Sequence, residues 1–301
     1  MFLKESIKRS KQCYPDHEAS KYTNSLVRRR VQFILKTFFV RKYFKDFLNI
    51  INPEIFDLAV KDQPRFLERL FRPYLFKDNS DKAKVLKNLK NHFDILLASF
   101  GLENSLEIYK KDFVFFEFKT ETHKYTLELA PAVYDKEGEL CFVLKQDNKV
   151  DFYVLSMLLI NPENPSLFIG GLQGPLPKEE NTVEIKFLTK LMYGLRPKEF
   201  MLILAKLLAK DLNLSLIEAV SNETHIYKSK RYLRKNKSTS DYNSLWESQG
   251  GVLNIKGNFE IKDFSVKRDL EFIASKKRSM YRKRYEMIDN IENSLIDCLN
   301  K

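Results

Sequence analysis

Along residues 20–100 the apolar positions recur every three or four residues, the spacing of an α-helix with one buried face. VRRRVQFILKTFFVRKYFKDFLNII, residues 27–51, alternates basic and aromatic side chains at that spacing. A second helical unit begins at Pro53. In DQPRFLERLFRPYLF, Pro64 suits a helix start and Arg72-Pro73 a helix end, because proline fixes φ and has no N–H to give the turn before it. DKAKVLKNLKNHFDILLASFG reads as a third helix, stopped by Gly101. A Phe and Leu stripe with a basic rim fits two surroundings, a membrane surface or the packed interior of its own domain.

From residue 105 the period changes to two. SLEIYKKDFVFFEFKTE and HKYTLELAPAVYDKEGELCFVLKQ read as strands, with Lys136, Glu137 and Gly138 near a tight turn. VDFYVLSMLLINPENPSLFIGGLQG gives two more, joined by Asn-Pro-Glu-Asn-Pro, so an antiparallel meander of four or five strands is expected. TVEIKFLTKLMYG is a short helix. RPKEFMLILAKLLAKDLN is a second, with Pro197 in its first turn and Met201, Leu204, Ala205, Leu208 and Leu212 on its apolar face. LSLIEAVSN reads as a buried strand, HIYKS as a short one, VLNIKGNFEI as a hairpin, and the last thirty residues as a basic helix or two. The fold class expected is α+β: a helical region over residues 1–104, then over 105–301 a mixed, mostly antiparallel sheet with a basic C-terminal helix.

Composition adds a core and a charge. The chain has 301 residues with 24 Phe and 14 Tyr, enough for a sizeable aromatic interior. It has no apolar run of about 18 residues, so no transmembrane helix is expected. MFLKESIKRSKQCYPDHE lacks the apolar centre of a signal peptide. A cytoplasmic location follows as the expectation, with peripheral contact at the inner face of the cytoplasmic membrane. Cys13, Cys141 and Cys298 are odd in number and have no metal spacing, which suits reduced thiols. Net charge is +12, and KSKRYLRKNK (228–237) and KDFSVKRDLEFIASKKRSMYRKRY (262–285) contribute +6 each. A positive field confined to two segments points to an anionic partner: a phosphate-bearing small molecule, a lipid headgroup or an acidic protein. Nucleic acid ranks below these, since none of its recognition motifs is present.

Only 9 glycines occur, yet Gly170, Gly171 and Gly174 fall within five positions of NPSLFIGGLQGP. Glycine belongs where φ is positive or where another backbone, a phosphate or a substrate comes close. A Walker loop is excluded, because Pro175 follows Gly170 by five residues and no Lys-Ser or Lys-Thr occurs. A Rossmann fingerprint is out of place after several antiparallel strands. The order of elements fits an acyltransferase core of the GNAT kind better. There a meander leads to a central strand that splays from its neighbour, and a helix starting beside the gap binds an anionic pyrophosphate. The usual glycine-rich acetyl-CoA loop is missing, and YGLRPKEF stands in its place.

FIGGLQG, GLRPKEFMLILAKLLA followed by LSLIEAVSN, SDYNSLWESQGG, and ASKKRSMYRKRYEMIDNI occur in that order. In these stretches the chain resembles the VirK/YbjX-like proteins of Gram-negative bacteria, over roughly residues 30–295. Asn243 stands where members tend to have an acid, and Leu245 where they tend to have Phe. The resemblance implies biology at the bacterial envelope: virulence, surface-protein display and tolerance of cationic antimicrobial peptides. It supplies no catalytic residue.

The residues themselves offer three candidate groups. Glu218, in an apolar strand, and His225 form a possible general-base pair beside the glycines, since burial raises a carboxylate's pKa. Asp241, Tyr242, Trp246 and Glu247 make a polar-aromatic group suited to a sugar or a cationic headgroup, or to pinning a loop. Arg278, Tyr281 and Arg282 on the terminal helix, with Arg196, Lys198 and Arg231, form a candidate anion grip around Gly170, Gly171, Gln173 and Gly174. His92 and His123 have no partner spacing and read as structural. Two functions stay open. One is a transferase moving an acyl or aminoacyl group to an envelope precursor, with acyl-CoA or another phosphate-bearing donor. The other is a non-catalytic adaptor that holds an acidic partner or anionic lipid through basic helices.

Overall fold

The N-terminal periodicity resolves into five helices in a computed structural model that describes residues 2–17, 25–77, 81–111, 113–147, 150–232 and 241–299. These helices are α1 (Phe2–Cys13), α2 (Leu26–Phe39), α3 (Arg41–Phe47), α4 (Pro53–Asp62) and α5 (Lys82–Lys110), with a 3-10 turn over Pro64–Glu68. Side-chain caps start three of them: Ser25 accepts from Arg28 N, Asn52 from Glu54 N and Asp81 from Lys84 N. The single helix expected over 27–51 breaks at Val40, where φ is −112° and ψ 23°. The break lets Phe33 of α2 meet Phe44 of α3, with ring centroids 6.0 Å apart, and Phe44 in turn stacks on Phe47 at 6.1 Å in one buried cluster. Nothing in the apolar pattern announces α1, because its buried face is Ser6, Ser10 and Cys13. SLEIYKK is helical, not extended. The chain bends at Gly101 (φ 69°) and continues as helix, burying Ile108 and Tyr109, until Lys111 in the left-handed region ends it.

The meander has five antiparallel strands: β1 (Val114–Lys119), β2 (Lys124–Pro131), β3 (Leu140–Gln146), β4 (Val150–Ile160) and β5 (Ser166–Gln173). Helices α6 (Glu179–Leu191) and α7 (Pro197–Asp211) then cross over to β6 (Ile217–Ala219), which pairs parallel with β5. After α8 (Tyr242–Ser248), a hairpin of β7 (Val252–Leu253) and β8 (Phe259–Ile261) returns, and β8 inserts beside β6. Sheet order is β1-β2-β3-β4-β5-β6-β8-β7. HIYKS forms a 3-10 turn, Ile226–Lys228, in place of the expected strand.

Helix α7, buried from Phe200 to Ala209, packs across β3, β4 and β5. Helix α9 (Ser275–Leu299) lies along β1, where Ser294 Oγ donates to Phe115 O at 2.6 Å. Where Cys141 pairs with Ser156, and Ser156 with Gly171, the β2–β3 connection, residues 132–139, folds back onto the strands. A bulge between Ser156 and Met157 leaves Gly170 as the extra residue of β5. A Cβ on Gly170 would overlap the carbonyl of Glu137, and one on Gly171 its carboxylate. Neither glycine has positive φ, so both serve close approach. Gly174 gives the same room to the ring of Tyr153.

This connection also carries the contact with the helical region. Arg69 pairs with Glu139 at 2.5 Å, both almost fully buried, and Arg72 pairs with Asp135 at 3.1 Å. Leu75 N donates to Lys136 O at 2.8 Å, and Gln63 Nε2 to Ala132 O. Burial alone would lower the pKa of Arg69, but the charge of Glu139 more than offsets it and holds the guanidinium ionised.

Gly170→Ala is expected to destabilise the chain by about 1–3 kcal/mol through overpacking against the Glu137 backbone. Thermal unfolding reads this as a drop of several degrees, and an unchanged melting temperature contradicts the close approach.

Candidate functional site

Strands β5 and β6 stay together for three pairs, Leu167↔Ile217, Phe168↔Glu218 and Ile169↔Ala219, and then part. β6 ends while β5 runs on to Gln173, leaving Leu172 without a strand neighbour on that side. Helix α8 fills the opening. Tyr242 Oη lies 3.3 Å from Leu172 N and 3.4 Å from Leu172 O, so one hydroxyl accepts and donates where a strand would have done both. Trp246 Nε1 donates to Val220 O at 2.7 Å. The two rings are fully buried and parallel, 5.8 Å apart. Burial pushes the Tyr242 phenol well above its usual pKa, so it stays protonated.

A ring of short side chains fixes α8 there. Asp241 caps it by accepting from Ser244 N and Ser244 Oγ. Asn222 Oδ1 accepts from Tyr242 N at 2.8 Å, and Asn243 Oδ1 accepts from Asn222 N at 2.9 Å. An amide oxygen serves that last role as a carboxylate would, which explains why Asn243 is tolerated. Lys198, at the start of α7, stands near Asp241. Burial lowers its pKa and the Asp241 charge opposes the shift.

Beside the splay lies a buried polar centre in which His225 and Gln173, both candidates, meet Glu137, which the sequence did not single out. Glu137 accepts from Gln173 Nε2 at 3.0 and 3.3 Å. His225 Nδ1 accepts from Tyr227 N at 3.3 Å, and its Nε2 faces Glu137 Oε1 at 3.5 Å. Glu137 and His225 are 1% and 0% exposed. The His225 ring lies 5.2 Å from Tyr242 and 4.9 Å from Tyr227, whose phenol burial pushes up to about 12. Gly170 and Gly171 are what admit Glu137, so the glycine cluster and His225 meet through a residue of the distant β2–β3 connection. Only the glycines themselves signalled that something approaches.

The remaining candidates lie apart. Glu218 points from β6 to Asn258, whose Nδ2 donates to it at 2.7 Å, and it does not meet His225. Arg196 is exposed at the start of α7, with no side-chain capping bond. Arg278 holds the carbonyls of Ile273 and Glu271 at 2.9 and 3.3 Å. Arg282 is exposed, and Tyr281 stacks edge-on against Tyr285 with Arg284 over its ring. Arg284, not a candidate, clamps Tyr193 O through two nitrogens at 3.1 and 2.7 Å. Arg231 faces α2 and the turn after α4, among Arg29, Lys36, Arg65 and Arg72. Among the described residues, the two basic stretches therefore do not converge on the glycines. Leu233 to Lys237 of the first stretch lie outside the described residues. His92 is buried in α5 and accepts from Leu159 N at 3.1 Å, with desolvation lowering its pKa to about 3.

Residues 23–297 match the family described as "Protein of unknown function (DUF535)". The protein YbjX of Escherichia coli (strain K12) is 33% identical over 273 residues, covering 87% of this chain and 81% of YbjX. A protein of Haemophilus influenzae is 38% identical over 130 residues, 42% of this chain and 41% of its own length. No solved structure matches.

Tyr242→Phe is expected to leave Leu172 N buried and unsatisfied, at a cost of about 1–3 kcal/mol. Denaturant unfolding followed by circular dichroism measures it. A loss near zero shows that the hydroxyl does not hold the open strand.

Proposed function

The chain belongs to the DUF535 family of VirK/YbjX-like proteins, and we propose that it is a non-catalytic binding protein that docks on an anionic phospholipid surface through its N-terminal helices. The observation that carries this reading is an uncovered apolar stripe on α2. Val27, Val31 and Leu35 are one turn apart, Phe38 and Phe39 follow, and exposure reaches 69% at Val27 and 89% at Phe39. The other side of α2 is buried through Phe33 and Thr37, so the helix is amphipathic twice over, once toward its core and once toward solvent. Leu3 and Ile7 of the adjoining α1 are exposed as well.

Charge selects the occupant. Helices α1, α2 and α3 hold eleven basic residues and two acidic ones, and α2 has four bases and no acid. A cationic amphipathic helix with aromatic ends lies in the headgroup region of a bilayer, and each base near an anionic surface adds about 1 kcal/mol. No helix among the described residues is long and apolar enough to cross a membrane, so docking is peripheral in this reading. The surface proposed is the inner face of the cytoplasmic membrane, as an envelope role of the VirK kind would require.

One observation favours transfer chemistry. Antiparallel strands leading into a single parallel pair, closed by an inserted hairpin strand, resemble the order expected of a GNAT-like core. Three others weigh toward binding. The rings of Tyr242 and Trp246 stand where the donor's arm would pass. The helix that directly follows β5 is α6, not the α7 expected beside the gap, and it opens on Glu179 and Glu180, which repel a pyrophosphate at its N-terminus. The Glu137 and His225 pair is sealed from solvent. A GNAT-like scaffold reused for binding accounts for all four.

Co-sedimentation with vesicles tests the proposal. The chain is expected to pellet with phosphatidylglycerol-containing vesicles, and neither with phosphatidylcholine alone nor at high salt. Val31→Glu with Leu35→Glu, both at exposed positions, is expected to weaken partitioning about tenfold or more with unchanged melting temperature. Equal partitioning of the variant and the parent, or a dimer in light scattering that the variant dissolves, overturns it.

A further inference from the structure

Between α2, the turn following α4 and Arg231 lies a cavity of about 90 Å³, facing away from the apolar stripe on the α2 surface. Its wall carries Arg29, Lys36, Arg65, Arg72 and Arg231, and among the described residues Glu68 is the one carboxylate in it. That carboxylate is already engaged. Its Oε1 accepts from Tyr14 Oη at 2.7 Å and its Oε2 pairs with Arg72 at 3.2 Å, while Arg72 also reaches Asp135 at 3.1 Å. The lining therefore has five bases against one acid, contributed by three stretches far apart in the sequence. Arg29 stands over the Tyr14 ring at 5.9 Å and Lys36 over the Phe71 ring at 5.7 Å, so aromatic faces help to place both.

Arg72 is already offset by Glu68 and Asp135, and the other bases gathered round this small space repel one another. An oxyanion removes that repulsion. Guanidinium groups offer planar, paired donors that match the oxygens of a phosphate. The space has room for a tetrahedral group in place of a few waters. A phosphomonoester carries close to two negative charges near neutral pH, which suits this excess better than a diester carrying one. We propose that this cavity binds a phosphomonoester-class oxyanion, held by Arg65 and Arg231 at the mouth with Arg29 and Lys36 from α2. The proposal goes beyond membrane docking and stands on other residues. Its ligand is either inorganic phosphate or the terminal phosphate of a lipid headgroup.

Two arms distinguish these sources, both run on the full chain. In the first, inorganic phosphate at matched ionic strength is expected to raise the melting temperature, since a ligand that binds only the native state stabilises it. In the second, vesicles containing phosphatidic acid are expected to retain the chain better than phosphatidylglycerol vesicles of equal surface charge. Arg65→Gln and Arg231→Gln, at exposed positions where folding tolerates change, are expected to lower affinity about tenfold in whichever arm responds. Response in the first arm identifies the ion, and response in the second alone identifies the lipid. Silence in both arms, or a response that persists undiminished in both variants, overturns the proposal. Val31→Glu with Leu35→Glu keeps the phosphate response if the cavity reading holds, so the two proposals fail separately.

Discussion

Three buried or half-buried carboxylates on one short connection hold this protein together. Between β2 and β3 the chain places Asp135, Glu137 and Glu139 within five residues, and each meets a different partner: Arg72, then His225 and Gln173, then Arg69. The outer two tie the sheet to the N-terminal helices, and the middle one ties it to the segment after β6. Such pairs contribute little net stability when complete, because desolvation offsets their attraction, but removing one partner strands a buried charge at a cost of about 3–5 kcal/mol. The arrangement is thus better at specifying one geometry than at adding stability. The bulge and the paired glycines of β5 are its precondition, because any side chain at Gly170 or Gly171 would occupy the space of Glu137.

That constraint changes what the acid–imidazole pair means. A glutamate facing a histidine beside splayed parallel strands has the residues of a general base, but it lacks access. Solvent reaches neither group, and the opening between the strands is closed by two stacked aromatic rings that take over the hydrogen bonds of the absent strand. Polar residues sealed this way act as joints. On our proposal partners are met on the helical side, where α2 leaves an apolar stripe uncovered and bases outnumber acids. Joint and cavity are connected: Arg72 contacts Asp135 of the connection and also borders the cation-lined cavity.

Much of this was legible in the sequence where the signal is local. The five-stranded meander, the Asn-Pro-Glu-Asn-Pro turn, Pro197 in the first turn of α7 and the terminal helix all follow from period, proline and charge. Helix α1 escaped because small and polar residues fill its buried face. Residues 105–111 look like a strand because Leu106, Ile108 and the charges between them alternate, while tertiary packing of Ile108 and Tyr109 keeps them helical. The glycine cluster announced a close approach but not its visitor, since Glu137 belongs to another strand connection. Charge was the least legible. The two late basic runs stand out in the sequence, yet they part in space, and Arg231 instead joins bases of α2 and of the segment after α4 whose excess is masked in the whole-chain sum by acids elsewhere.

Helix α8 fills the opening between β5 and β6, and on our proposal partners are met on the helical side. The chain's one tryptophan reports on that opening, because Trp246 is fully buried in it. The direct measurement is Trp246 fluorescence during titration with an acyl-CoA. The account expects the emission of a buried indole, unchanged in wavelength and intensity at saturating donor. A saturable red shift or quench would mean that the rings give way to a donor, and would return the site between the strands to catalysis.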